Sequence, residues 1–395
     1  MPGPGSQWIG QEEVKEVMDV LESGYLFRYG SLDDPAYKHK VYTFEKEFAE
    51  YCGVRHALAV SSGSGALIIS LKALGIEAGD EVIVPAYTFI ASFSSIVFAG
   101  GVPVLAEINE SLNIDPDDIE PRITRKTKAI MPVHMLGNAC AMDAIMTIAN
   151  KHGFQVLEDV CQANGGSFQG RKLGTLGKMG TFSLNIFKTV TAGDGGIVIT
   201  DDTDLYKLAF GYHDQGHSPL RAGVEVGQRS VLGMNFRMNE LTGAVALAQL
   251  RKMDRIISVL QEKKRKFKEL ISDINGLKFR TLNDPKGDCG TLCTVIFDSA
   301  RKAALVGRRL GTVTVNQSGW HVYANMEHLN RYLKEKGQPH GRGAYPRTDD
   351  ILSRALNLSV GVVDAGLGAG FGININSSDA EIEQTAGIFR KACAE

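Results

Sequence analysis

The chain has 395 residues, enough for two domains rather than a single core. Hydrophobic residues make up 44% and charged residues 22%, the balance of an ordinary water-soluble globular protein. A formal net charge of -2 gives no basic footprint for nucleic acid or for an anionic membrane surface, so neither partner is expected.

The opening stretch MPGPGSQWIGQEEVKEVM has no basic segment followed by an apolar one, so no secretory signal is read there. No window approaches the roughly 18 unbroken apolar residues of a membrane span. The six cysteines lack paired metal-ligand spacing, which predicts reduced thiols, no metal site and a cytoplasmic protein.

Further along, short apolar runs alternate with helical patterns. HALAVSSGSGALIISLKAL (56–74) predicts strand, turn and helix. DEVIVPAY (80–87) predicts a strand, and TFIASFSSIVFAG a helix ending at glycine. VPVLAEI (102–108), TKAIMPVHM (127–135) and GFQVLEDV (153–160) predict further strands, with AMDAIMTIANKHG (141–153) as an amphipathic helix. GTFSLN and GGIVIT complete the series. Strands separated by helices of this size imply an α/β fold whose sheet is mostly parallel and covered on both faces.

Near residue 240 the pattern changes. NELTGAVALAQLRKMDRIISVLQEKKRKFKELISDI (239–274) is a long helical stretch with at most one break, and EKKRKFKEL within it reads as a solvated face. We place the domain boundary on it: a large domain over 1–250 and a smaller α+β domain over 251–395. The second contains LKFRTL, CGTLCTVIFD and the helices ARKAALVGRRL and SSDAEIEQTAGIFRKACA. Residues 314–350 show no clear period.

Three elements carry chemistry. In SSGSGAL (61–67) a strand runs through Gly-Ser-Gly into a helix, which leaves backbone N–H groups and the positive end of a helix dipole free for a phosphate. Ordinary strand-to-helix turns use the same residues. In VLEDVCQANGG (156–166), Asp159 follows an apolar strand, where an acid either caps a helix or faces a cation such as a protonated ring nitrogen. In TFSLNIFKTVTAGDGGIVIT (181–200), Lys188 sits between apolar residues and glycines. An amine enclosed in a partly apolar site loses its proton more readily and attacks carbonyls. Taken together, a phosphate cradle, an acid and a lysine match the needs of pyridoxal phosphate: the acid pairs with the ring nitrogen and the lysine takes the aldehyde.

At this point the chain resembles the pyridoxal-phosphate sugar aminotransferases of the DegT/StrS type, members of the aspartate-aminotransferase-like fold type I. SSGSGAL, GDEVIVPAYTFIAS, LEDVCQANGGSFQGRKLGTLGKMGTFSLNIFKTVTAGDGG and GMNFRMNELTGAVALAQL carry the resemblance from about residue 8 to 255. It implies a seven-stranded, mostly parallel sheet in the large domain. It also implies that Gly63, Ser64 and Gly65 hold the phosphate with Ser183, and that Phe89 stacks on the ring. Asp159 would pair with the ring nitrogen, Gln162 would lie near the ring hydroxyl, and Lys188 would be both the Schiff-base lysine and the proton carrier. Asn235 would reach the cofactor of a neighbouring subunit, which implies a homodimer with shared active sites.

Within the family, ESGYLFRYG, FKTVTAGDGG and NFRM look most like the branch that aminates an oxidised octulosonate sugar. The chain departs from many relatives in having LNIFK without a histidine, Ser64 for threonine, and Asp194 for the glutamate of GEGG. The resemblance implies transfer of an amino group from glutamate or glutamine to a keto or aldehyde sugar that is free, acidic or nucleotide-linked. Acceptor contacts are expected from Arg28, Tyr29, His213, His217, Trp320, His321 and Tyr323. A dehydratase, a cyclase and a regulatory homologue are alternatives on the same fold, and the retained Lys188 favours transamination.

Overall fold

A computed structural model describes residues 3–219, 229 and 231–394. Helices α1 (Pro4–Gln7), α2 (Gln11–Ser23) and α3 (Lys40–Cys52) precede the first strand. Then follow β1 (His56–Val60), α4 (Gly63–Ala73), β2 (Glu81–Pro85), α5 (Ile90–Phe98), β3 (Val102–Ala106) and β4 (Thr127–Ile130). Next come α6 (Met142–His152), β5 (Gln155–Asp159), the short hairpin β6 (Ser167–Phe168) and β7 (Arg171–Lys172), β8 (Met179–Ser183) and β9 (Gly196–Thr200). Helices α7 (Thr203–His213), α8 (Glu240–Leu250) and α9 (Met253–Ile271) lead to the remaining elements. These are β10 (Leu277–Phe279), β11 (Leu292–Phe297), α10 (Ala300–Arg309), α11 (Glu327–Glu335), α12 (Pro346–Arg354), β12 (Ala355–Ser359), β13 (Phe371–Gly372) and α13 (Asp379–Ala394).

The larger sheet has seven strands in the order β1-β9-β8-β5-β4-β2-β3. Strands β3, β2, β4, β5 and β8 run parallel, and β9 is antiparallel to both of its neighbours. Alternate residues of each strand enter different cores. Ala57, Ala59 and Ile83 pack with α3, α6 and α8, whereas Leu58, Val60, Val82 and Val84 pack with α4 and α5 on the other face. A sheet covered on both sides needs apolar residues at every position, which explains the unbroken runs in the sequence.

The second sheet has the order β10-β11-β12-β13. Between the two sheets lies the long helical stretch, broken at Arg251 and Lys252 into α8 and α9. The basic run on α9 departs from a plain solvated face. Lys264 is buried with its amine 2.6 Å from Asp288, while Phe267 and Ile271 enter the core. The segment 314–350 resolves into two short 3-10 turns followed by α11 and α12.

Two seams join the parts. At the amino-terminal end, Gly3 N–H donates to Ile186 O at 3.0 Å, and Trp8 Nε1–H donates to Asn376 Oδ1 at 2.9 Å. In the second, Thr88 N–H donates to His321 O and Ile90 N–H to Trp320 O, each at 3.0 Å, so residues 320–322 lie alongside the chain that enters α5.

Candidate active site

The carboxyl ends of the parallel strands open into a cavity of about 450 Å³. Ser62, Gly63 and Ser64 line it from the turn between β1 and α4, Asp159, Cys161 and Gln162 from the end of β5, and Ser183, Asn185, Phe187 and Lys188 from the end of β8. Thr88, Phe89 and Ser92 come from the entry to α5, and Trp320, His321 and Asp364 from the second sheet's side. This is the position at which an open α/β sheet offers its loops to a ligand.

The turn at Ser62 leaves backbone N–H groups free at the start of a helix. Ser62 Oγ caps α4 by accepting from Gly65 N–H at 3.0 Å. The N–H groups of Gly63 and Ser64 fall in the first helical turn, where no intrahelical acceptor exists. Gly63 leaves room that any side chain would fill: a Cβ there would stand 2.8 Å from Ser183 Cβ and 3.2 Å from Cys161 Sγ. Gly196 on β9 is required for the same turn, since its Cβ would lie 2.4 Å from Ser62 O. Gly65 sits behind the cradle, against Phe236. We expect Gly63→Ala to weaken pyridoxal phosphate binding at least about tenfold and to lower the melting temperature as well, because overpacking against Ser183 costs about 1–3 kcal/mol of stability. Titration of the apo protein checks this.

Asp159 is buried and held at both oxygens. Oδ1 accepts Cys161 N–H at 3.0 Å and Oδ2 accepts the Ser92 hydroxyl at 2.8 Å. Burial and the neighbouring Asp159 push the Cys161 thiol well above its ordinary range. Gln162 Oε1 accepts Leu136 N–H at 3.2 Å, which leaves the amide's NH2 to donate. Leu136, in the cavity wall, has φ of 56°, a left-handed conformation that costs a side-chain residue about 1–2 kcal/mol. Arg280 stabilises it by donating to Met135 O at 3.0 Å and Leu136 O at 2.7 Å.

The lysine loop is braced from several directions. Asn185 N–H donates to Ser183 Oγ at 3.2 Å, Lys188 N–H to Asn185 O at 2.9 Å, and Thr191 Oγ1 to Leu184 O at 2.9 Å. Asn185 Nδ2 also donates to Asp194 Oδ1 at 3.0 Å. Phe187 lines the cavity and is partly open to solvent, as is Phe89.

His321 lies beside Phe89, with ring centroids 5.3 Å apart. Ser318 directs its hydroxyl proton to Gly366 O, so His321 Nδ1 carries the ring hydrogen towards Ser318 Oγ at 3.1 Å and Nε2 is left as an acceptor. Burial, and then the charge of Lys188, pull its pKa down to about 3. The unfolded chain would therefore take up this proton near pH 6.5 and the folded one only near 3. The stability that the neutral ring contributes is complete above about pH 6.5 and is lost as pH falls towards 3, by up to about 1.4 kcal/mol per pH unit. His321→Gln should flatten this acid limb in urea denaturation measured between about pH 4 and 7.

Other residues singled out in the sequence lie elsewhere. Arg28 is buried and spends its charge on Glu45 at 2.7 Å, with NH1 also donating to Ala59 O at 2.9 Å and facing His213 Nε2 at 3.0 Å. His213 is accordingly neutral, its pKa held well below the usual range by burial and then by Arg28. Tyr29 hydrogen-bonds Asp214, and His217 is buried in the loop after α7. The Tyr323 hydroxyl donates to Asp349 Oδ2 at 3.1 Å, with its ring edge-on to Tyr345. None of these five lines the cavity. Asn235 is exposed on the strand-like segment whose neighbour, Phe236, accepts Ser61 N–H at 2.7 Å. Among the described residues no cluster of ligands suits a metal ion. No helix among them is long and apolar enough to cross a membrane.

The sequence reading passed over Ser92, Cys161, Leu136, Asn185 and Asp364. A hydroxyl pair four residues apart, Thr88 and Ser92, was the visible signal for the first; the others show only once the loops converge.

The pattern of the DegT/DnrJ/EryC1/StrS aminotransferase family matches residues 7–363. A GDP-perosamine synthase of Vibrio cholerae is 36% identical over 88% of this chain and 90% of its own length. An L-glutamine:2-deoxy-scyllo-inosose aminotransferase of Streptomyces kanamyceticus is 37% identical over 58% of this chain and 56% of its own length. The crystal structure of 3-amino-5-hydroxybenzoic acid synthase superposes with a TM-score of 0.81 at 28% identity, covering 98% of this chain and 97% of that one.

Proposed function

Because the chain belongs to the DegT/DnrJ/EryC1/StrS aminotransferase family, we propose that it moves an amino group from glutamate or glutamine to a keto or aldehyde carbon of a sugar or sugar-like ring. It is a transaminase of fold type I, and its cofactor is pyridoxal phosphate. The observation that carries the reading is the convergence of Lys188, Asp159 and the Ser62–Ser64 turn on one cavity. When bound, pyridoxal phosphate supplies an electron-accepting ring and an aldehyde carbon that carries the amino group between the two substrates.

The residues present fit that group. The first turn of α4 with Ser64 and Ser183 would bind the phosphate, in the space that a Cβ at Gly63 would fill. Phe89 would cover one face of the ring. Asp159, as a carboxylate that accepts from two donors, would hold a proton on the ring nitrogen. Lys188 would take up and return the proton at the reacting carbon, and His321 Nε2 is placed to accept from a substrate hydroxyl. Phe187 and Trp320 would shield the site from water.

Names among the relatives point to acceptors as different as a GDP-linked sugar and an inosose, so the acceptor class is set broadly. The test is to incubate the loaded protein with a donor and candidate keto-sugars. Stoichiometric release of the donor's keto acid with an aminated product is expected. Turnover of the sugar without keto acid would replace transamination by dehydration.

We also propose a homodimer with Asn235 reaching across to the neighbouring cofactor. In support, Asn235 is exposed beside Met234 and Leu232, and Leu26 and Phe27 add apolar surface close by, with Arg237 over the Phe27 ring. Contiguous exposed apolar side chains of this kind suit a symmetric interface. Met234→Glu should shift sedimentation to the monomer and weaken cofactor binding in parallel; a dimer with unchanged affinity would oppose this. The division into domains near residue 250 belongs to the same proposal, and separate expression of the two parts tests it.

A further inference from the structure

We propose that Ser92, with Thr88 behind it, is a positioning residue that aims the Asp159 carboxylate at the cofactor's ring nitrogen. This rests on the reading of Asp159 as the partner of that nitrogen. The argument begins with the turn that enters α5. Phe89 is the residue before the helix, in extended conformation, and Thr88 and Ser92 straddle it four residues apart. One turn thus presents an aromatic ring on the cavity wall and a pair of hydroxyls beneath it.

Both hydroxyls are almost fully buried. Ser92 has a single hydroxyl proton, and it is directed to Asp159 Oδ2 at 2.8 Å. The 2.8 Å contact between Thr88 Oγ1 and Ser92 Oγ must therefore have Thr88 as the donor. The chain of donation runs one way, from Thr88 to Ser92 to Asp159. On the other oxygen, Cys161 N–H is part of the backbone and holds Oδ1 at 3.0 Å. With Oδ1 tied to the backbone and Oδ2 tied to Ser92, the plane of the carboxylate cannot rotate about its Cβ–Cγ bond. Asp159 lines the cavity, so the carboxylate fixed in this way is presented there. A terminal carboxylate torsion is otherwise broad, so fixing it takes a second donor.

A hydrogen bond to a charged group in a buried site is worth enough to set cofactor affinity. The full-length protein carrying Ser92→Ala should bind pyridoxal phosphate about tenfold more weakly in titrations of the apo form. In the loaded protein, cofactor labelled with ¹⁵N in the ring should show a nitrogen resonance displaced towards that of unprotonated pyridine, because the counter-charge is no longer aimed. Thr88→Val should move the resonance the same way by less, and Ser92→Cys, a weaker donor of similar size, should fall between the parent and Ser92→Ala. A structural role alone would lower the apo melting temperature and leave the resonance in place, and that result would overturn the proposal. Asp159→Asn separates the two readings. If it moves the resonance while Ser92→Ala does not, only the role of Ser92 fails. If neither moves it, the assignment of Asp159 fails as well.

Discussion

Replacing Lys188 with alanine is expected to lower turnover by about 10⁴-fold, the upper range for loss of a positioned acid–base group. Among the described residues that line the cavity, Lys188 is the one amine, and so the one group able both to bond to the cofactor's aldehyde carbon and to carry its proton. The Cys161 thiol is pushed up and stays protonated. The loop that carries Lys188 is fixed through Asn185, Thr191 and Gly3, so removal of the side chain should leave the fold and the phosphate cradle intact. Keto-acid release in a single turnover measures the effect. Mass spectrometry after borohydride treatment adds a second reading: the cofactor should be fixed to position 188 in the parent and to no residue in the variant. Turnover near the parent's in Lys188→Ala would end the assignment.

Glu158→Ala is expected to cost about 4 kcal/mol of stability, the scale for leaving several buried N–H donors without an acceptor at about 1–3 kcal/mol each. Glu158 is fully buried on the strand face opposite Asp159. Its Oε1 accepts Leu176 N–H at 2.7 Å and Gly177 N–H at 2.6 Å, and its Oε2 accepts Gly174 N–H at 2.9 Å. His134 Nε2 lies 3.1 Å from Oε2. Because His134 Nδ1 accepts Cys140 N–H at 3.0 Å, the ring hydrogen is on Nε2 and points at the carboxylate. Alanine would leave three backbone N–H groups and one ring N–H facing a void without partners. Glu158→Gln, which keeps one oxygen acceptor, should lose less. Denaturant midpoints compare the three proteins. A loss below about 1 kcal/mol for the alanine variant would mean that water takes the place of the carboxylate.

How far the sequence could be read depended on the period of each element. Strands buried on both faces, such as EVIVP and GIVIT, stand out as unbroken apolar runs. Their turns into α4 and out of β5 could be located because glycine and acid sit at fixed offsets from them. Helix α2 escaped notice because its buried face is narrow. In α2 only Glu13 and Val20 are buried, and its packing on α8 is tertiary information. The segment around Trp320 was unreadable for a different reason: between its two short turns the backbone is paired with residues 86–90, far away in the sequence. The same limit applied to the acceptor residues. Arg28 looked like an anion contact, yet its guanidinium is buried and both terminal nitrogens already meet Glu45, Ala59 O and His213 before any ligand arrives. The lysine, the acid and the glycine turn were visible because each requires a particular residue type; Ser92 and Leu136 were not, because many residues could have occupied their places.

The backbone stitch between residues 86–90 and 320–323 carries a consequence for how such an enzyme changes its tastes. The cavity-lining stretch that is proposed to meet the acceptor is sewn to the stretch that presents Phe89 and Ser92. Selection for another sugar at Trp320 or His321 would therefore tug on the grip for the vitamin as well. Variants evolved at those two positions should be sorted first by retention of cofactor and only then by product.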